Sequence, residues 1–179
     1  MNQIPPAAKD AFDTLGVEAR FDLDLGELER RHRELSRTLH PDRYASAPAA
    51  ERRMALGKAI EVNEAHRVLR DPVKRAEALL RRAGVAVGEV AEPKASPELL
   101  MEFMERREEL SEAARAKDLA AVGKLAAAMR ERQAQTTREL TTALAAPPAE
   151  LAAARSLLGE LRYVRRFLEE VSAIEESLA

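Results

Sequence analysis

The stretch LGELERRHRELSRTLHPDRY, residues 25–44, decides the architecture of this chain. Leu28, His32, Leu35 and Leu39 recur at i, i+4, i+7 and i+11, the spacing of one helix face. A helix is therefore expected from about Leu25 to Leu39. Pro41 disfavours the helical conformation for the residue before it, so the helix stops at His40. The loop from Pro41 to about Ala49 is expected to be exposed. A further helix follows from about Ala50 to Arg70, with Ala55, Ala59, Val62, His66 and Leu69 as its inner stripe and Gly57 weakening it slightly. Asp71-Pro72 ends it. The two helices make an antiparallel hairpin that carries His40-Pro41-Asp42 at its tip.

The rest of the chain continues in helices. A short one is expected over Ala8 to Leu15, closed by Gly16, which tolerates the left-handed conformation after a helix. Val73 to Ala83 makes another, closed by Gly84. From Gly84 to Pro97 the chain reads as a linker punctuated by Gly84, Gly88, Pro93 and Pro97. Its valines, Val85, Val87 and Val90, suggest that it docks on a domain surface. Ser96 is a good N-cap with Pro97 at the first helical position. A long helix then reaches about Ala116, a second runs from Asp118 to about Leu144, and a third from about Ala149 to Leu178, after the break at Pro147-Pro148. Three long helices joined by short turns read as an antiparallel bundle.

Composition agrees. Of the 179 residues, 46% are hydrophobic, 34% charged and 3% aromatic, and the abundant Ala, Leu, Glu and Arg are strong helix formers. A net charge of −2 argues against general nucleic-acid binding. The charges are uneven, however. Arg30, Arg31, Arg33, Arg37 and Arg43 crowd one segment, whereas Glu98, Glu102, Glu105, Glu108, Glu109 and Glu112 crowd another. Two partners of different electrostatic character are expected. Without cysteine, disulfides and thiolate chemistry are excluded. The three histidines, His32, His40 and His66, show no metal-ligand spacing, and neither a metal nor a cofactor is expected. No signal core or membrane span is visible, so the expected location is cytoplasmic.

The tripeptide has a physical logic. Pro41 fixes the exit from the helix, and His40 and Asp42 are then presented from the hairpin tip. Asp42 offers an acceptor-only carboxylate suited to an arginine on a partner. The preceding helix adds arginines on its solvent side. Alone, His-Pro-Asp would be an ordinary turn. The helices on either side, together with Tyr44 and the run from Asn63 to Leu69, argue for a docking surface. A catalytic or metal pair of His40 and Asp42 would need a third ligand or a nucleophile, and none is visible. His32 and His66 occupy inward positions and read as packing residues.

The helix after Ser96 has too many apolar residues for one buried stripe. Leu99, Phe103 and Leu110 fall within roughly 40° of one another and should face the bundle core. Leu100, Met101 and Met104 lie about 100° to 200° from Leu99, where a surface helix places charge. Rimmed by Glu102, Glu105 and Glu108, they form a candidate partner surface. Packing against the linker or another helix is the plain alternative. In the last helix, Leu157, Leu161, Val164, Leu168 and Val171 make the expected core seam, with Tyr163, Phe167 and Ile174 as a second stripe beside it.

Residues from about 10 to 75 resemble a J domain, the module that stimulates ATP hydrolysis by 70-kDa heat-shock chaperones. The run from Arg75 to Leu80 after Asp71-Pro72, and that from Leu100 to Leu110, resemble the HscB iron–sulfur co-chaperones, and the likeness covers nearly the whole chain. It implies an all-α, L-shaped molecule: a J domain at 1–78, a connecting short helix and linker at 79–97, and a scaffold-binding three-helix bundle at 98–179. The implied partners are a 70-kDa heat-shock-type chaperone (HscA or DnaK type) and an iron–sulfur cluster scaffold protein (IscU type). The resemblance assigns chaperone docking to His40, Pro41, Asp42, Arg30, Arg31, Arg33, Arg37 and Arg43. It assigns scaffold binding to Leu100, Met101, Met104, Glu105, Glu108 and Tyr163. The chain itself would not be an enzyme. The alternatives are a J-domain co-chaperone with a different or general client, and a metal-dependent hydrolase using His40 and Asp42. The chain departs from the family in lacking the N-terminal cysteine-rich segment of some members, in having Phe103 where a polar residue would be unsurprising, and in its core histidines.

Overall fold

The computed structural model describes residues 9–87, 96–147 and 151–178. Ala8, Gly88, Val90, Pro93, Pro148 and Ala149, which entered the helix and linker expectations, lie outside them. The chain divides into two units, Met1–Ala83 and Gly84–Ala179. No described helix is long and apolar enough to cross a membrane.

In the first unit, aspartates start three of the helices. Asp10 caps α1 (Ala11–Leu15) in a capping box with Asp13, and its carboxylate accepts from the Asp13 N–H at 3.0 Å. Gly16 closes α1 in the left-handed conformation at φ 64°. Asp24 caps α2 (Leu25–Thr38) by accepting from the Gly26 and Glu27 N–H groups. His40 is extended, as the residue before proline should be. The expected loop is then more ordered than the sequence reading allowed: Pro41–Tyr44 forms one 3₁₀ turn. Next comes α3 (Ala49–Arg70). Asp71 caps α4 (Pro72–Arg82), with Pro72 at the first position, where its missing N–H costs nothing.

Side-chain pairs give the direction of the hairpin. His66 meets Glu29 and His32 meets Asn63, so sequence numbers fall on α3 as they rise on α2. Phe12, Leu15, Leu28, Val62, Ala65 and Leu69 form the core, and Ala78 and Leu79 of α4 pack against it. Two expectations are corrected here. Ala65, not Ala59 or His66, completes the buried stripe of α3. The histidines do converge: His32 and His66 stack at 4.1 Å between centroids with 12° between planes. Tertiary folding, and not local spacing, brings them together.

Two arginines tie α4 down. Arg75 is buried, donates to the Leu69 carbonyl at 3.0 Å and lies over the Phe21 ring. Burial lowers its pKa, against the opposing pull of Asp71 and Asp22. Arg82 pairs with both Asp10 and Asp13 of the α1 cap.

Among the described residues, the second unit is three helices in up-down-up order: α5 (Pro97–Arg115), α6 (Leu119–Leu144) and α7 (Ala152–Leu178). Ser96 caps α5 and Asp118 caps α6 through their side chains. Between them Lys117 sits at φ 53°. The Asp118 and Lys117 N–H groups donate to the Ala113 and Ala114 carbonyls, which satisfies the end of α5 as a glycine-closed helix would be. The core joins Phe103, Leu110, Val122, Ala126, Met129, Val164, Phe167 and Val171. Thr136 is buried with its hydroxyl 2.9 Å from Glu160, which also accepts from Arg132. This polar cluster links α6 to α7.

On α7 the expected seam is corrected. Ala154, Leu158, Leu161, Val164, Phe167 and Val171 are buried, whereas Leu157 and Leu168 are half-buried. The steps of three from Leu158 to Phe167 walk the stripe around the helix by about 60° each. By residue 167 it has moved off position 168.

Candidate functional site

Each unit carries one candidate surface. In the first, His40 caps the 3₁₀ turn: its Nδ1 accepts from the Asp42 N–H at 3.3 Å, and Arg43 N–H donates to the His40 carbonyl at 3.0 Å. The neutral tautomer that fits carries its proton on Nε2. The Asp42 carboxylate is 89% exposed and lies 3.5 Å from His40 Nδ1. The turn therefore holds the imidazole to the backbone and leaves the carboxylate in water, able to take a guanidinium from a partner.

The arginines divide into two sets. Arg30, Arg33 and Arg37 are exposed and share a face of α2 within roughly 60°, from which Arg31 is turned by about 100°. Arg31 is half-buried. Glu27 and Glu34 pair with both Arg30 and Arg31, which dilutes their charge. Arg33, Arg37 and Arg43 make no ion pair among the described residues and carry the free positive charge of this surface.

In the second unit, Leu100, Met101 and Met104 of α5 are 38%, 62% and 71% exposed. Phe103 is turned into the core, so an aromatic at that position is a packing residue, and it meets the Tyr163 ring at 5.4 Å. Leu100, Met104 and Tyr163 line one cleft of about 120 Å³ between α5 and α7. Met101, Glu105 and Glu108 do not line it. Glu108 borders a neighbouring groove, while Met101 and Glu105 stand exposed. Glu105 and Glu108 make no ion pair among the described residues.

Three cleft residues are not among the expected site residues: Arg107, Arg166 and Glu170. Arg107 and Glu170 pair at 2.5 Å across the two helices and border both the cleft and the groove. A charged residue turned toward the exposed apolar side of α5 was the signal for Arg107. Nothing local marks Glu170.

Among the described residues, His40 and Asp42 are joined by no third metal-type donor. Among the described residues the one group of three metal-type donors is Glu29, His32 and His66. The His66 hydrogen bond is the main influence holding the Glu29 carboxyl below its ordinary pKa.

Comparison with known proteins covers both units of the chain. Residues 10–78 match the DnaJ domain model, and residues 95–172 match the model described as the HSCB C-terminal oligomerisation domain. The chain is 38% identical to the co-chaperone protein HscB homolog of Bordetella petrii, over 93% of this chain and 96% of that protein. A similar homolog from Burkholderia multivorans is 37% identical over 93% of this chain and 94% of its own length. The chaperone HscB structure from Vibrio cholerae superposes with a TM-score of 0.85 at 31% identity, covering 96% of this chain and all of that one. Human HscB shares the fold at a TM-score of 0.86 and 24% identity, covering 97% of this chain and 85% of that one. With an exposed His-Pro-Asp turn on a J-type hairpin, an apolar face on a three-helix bundle and relatives aligned along both, this chain belongs to the HscB family of J-domain co-chaperones.

Proposed function

We propose that this co-chaperone couples an iron–sulfur cluster scaffold protein of the IscU type to a 70-kDa heat-shock-type chaperone of the HscA or DnaK type and stimulates that chaperone's ATPase. The observation that carries the reading is the presence, in one chain, of two exposed surfaces of opposite character. One is a polar turn with unpaired arginines. The other is an apolar face with unpaired glutamates.

The J domain, residues 1–78, docks through Arg30, Arg31, Arg33, Arg37 and Arg43 and presents His40, Pro41 and Asp42. Arg33, Arg37 and Arg43 contribute most, because Glu27 and Glu34 compete for Arg30 and Arg31. Asp42 accepts from a cation on the chaperone, and the His40–Asp42 backbone bond keeps the turn in one shape. The ATP chemistry belongs to the chaperone.

The bundle, residues 98–179, holds the scaffold through Leu100, Met101, Met104 and Tyr163, with Glu105 and Glu108 on the rim. Met101 and Met104 have flexible, polarizable side chains that adapt to a partner surface, and both have most of their area free to bury. Holding the scaffold on the same chain as the docking turn raises its effective concentration at the chaperone.

The deciding experiment is steady-state ATP hydrolysis by the cognate chaperone, with this protein and the scaffold added singly and together. Synergistic stimulation by the pair is expected. Stimulation indifferent to the scaffold would leave a co-chaperone with another client. No stimulation of an active chaperone would overturn the reading.

A further inference from the structure

The pair α2 and α3 carries a second constellation, away from the His40 turn. Glu29 and His32 are three apart on α2, and Asn63 and His66 are three apart on α3. Residues at that spacing share a helix face. Because the helices run antiparallel, the two pairs meet crosswise. His66 Nε2 lies 3.0 Å from Glu29 Oε1, and His32 Nε2 lies 2.9 Å from Asn63 Oδ1. The imidazoles stack between them at 4.1 Å.

We propose that Glu29, His32 and His66 form a binding site for a first-row divalent metal ion, zinc in particular, that clamps α2 to α3. One ring nitrogen of each histidine and one Glu29 oxygen already lie within 4.8 Å of one another. Two imidazoles and a carboxylate are a donor set that zinc takes, with bonds of about 2.0–2.2 Å and a fourth position left open. Donors on a tetrahedral ion stand roughly 3.4 Å apart at those bond lengths. Ligation therefore asks little of the Glu29–His66 pair, already 3.0 Å apart, and mainly brings a His32 nitrogen to it from within 4.8 Å.

The surroundings suit this. All three residues are partly buried, so the donors are shielded yet reachable from solvent. The helices hold the backbone positions, so ordering the ligands costs little. Asn63 stands beside His32 as an outer partner that can orient the ring. Arg70 approaches the Glu29 carboxylate at 3.9 Å, but its side chain is 70% exposed and free to turn into water. Oxygen-seeking magnesium and calcium do not fit a set rich in imidazole.

The chain has three histidines, which makes the test clean. Zinc is titrated calorimetrically into the full-length, chelator-treated protein, and melting is followed with zinc, magnesium or calcium. One zinc per chain and a melting temperature raised by zinc alone are expected. His32→Gln and His66→Gln should each weaken zinc binding by about 100-fold or more, at or beyond the upper end of the loss typical for outer-shell partners. His40→Gln should bind zinc like the parent. Glu29→Gln keeps the shape and removes the charge, and should weaken binding by about tenfold or more; it stays informative if a histidine variant folds poorly. No zinc uptake at millimolar concentration would overturn the proposal. Undiminished binding by folded His32→Gln and His66→Gln, or by Glu29→Gln, would overturn it too.

Discussion

At the residue scale, His40 has one structural job that can be separated from the rest of the molecule. It is exposed and holds the Asp42 backbone through Nδ1. His40→Gln is therefore expected to leave melting within about 0.5 kcal/mol of the parent, as for a surface change. It should abolish stimulation of the chaperone ATPase while scaffold binding persists. Normal stimulation by that variant would remove the turn from the mechanism. Phe167 gives the opposite case. At 2% exposure it is core, and Phe167→Ala should cost about 3–5 kcal/mol in urea unfolding. Leu168→Ala should cost clearly less, because half-buried Leu168 only flanks that core. Equal losses would restore the seam drawn from the sequence.

At the element scale, α1 is too short to stand alone; Phe12 and Leu15 pack it into the core and Arg82 clamps its cap to α4. Burial would raise the pKa of Asp10. The Asp13 backbone N–H and the Arg82 guanidinium outweigh it and hold the carboxyl below its ordinary value. A group whose folded pKa is depressed contributes stability above its unfolded pKa and loses it as pH falls through the folded one. The contribution is thus complete above about pH 3.9 and declines below. Acid titration of amide exchange in α1 should show opening in that window. In Arg82→Met the pH-dependent part should shrink, and an unchanged acid profile would mean that the clamp does not hold α1. The α5–α6 turn shows a different economy of sequence: Lys117 takes the left-handed position usually given to glycine, and the helix end is satisfied by backbone bonds alone.

At the scale of the whole molecule, the proposed mechanism needs both surfaces on one chain. Met101→Ala with Met104→Ala should lower scaffold affinity by about tenfold or more, each exposed methionine being worth roughly 1 kcal/mol or more when buried at an interface. It should leave scaffold-independent stimulation intact. A mixture of that double variant with His40→Gln supplies one intact copy of each surface, on separate chains. Synergy should not return, since the effective concentration comes from the linkage. Recovery of synergy in the mixture would show that the two units act independently.

The sequence by itself determined most of the helices and many of their ends: Asp10, Asp24, Asp71, Ser96 and Asp118 start helices, Gly16 closes one, and Pro41 stops another, but the start of α1 at Ala11 and not Ala8, and the 3₁₀ turn at Pro41–Tyr44, are not read from it. Such caps and stops are local matters of backbone donors, acceptors and allowed dihedrals, legible within a few residues. It also determined that Leu100, Met101 and Met104 point away from Phe103, because helix periodicity alone separates them. Only the tertiary structure decided which residues of the two α7 stripes are core, since both are apolar and the choice depends on what α5 and α6 present. The same holds for the Arg107–Glu170 pair, 63 residues apart in sequence. It holds equally for the meeting of His32 with His66. Spacing along a chain reports the face of one helix, but a site shared by two helices exists only once their packing has set the register between them.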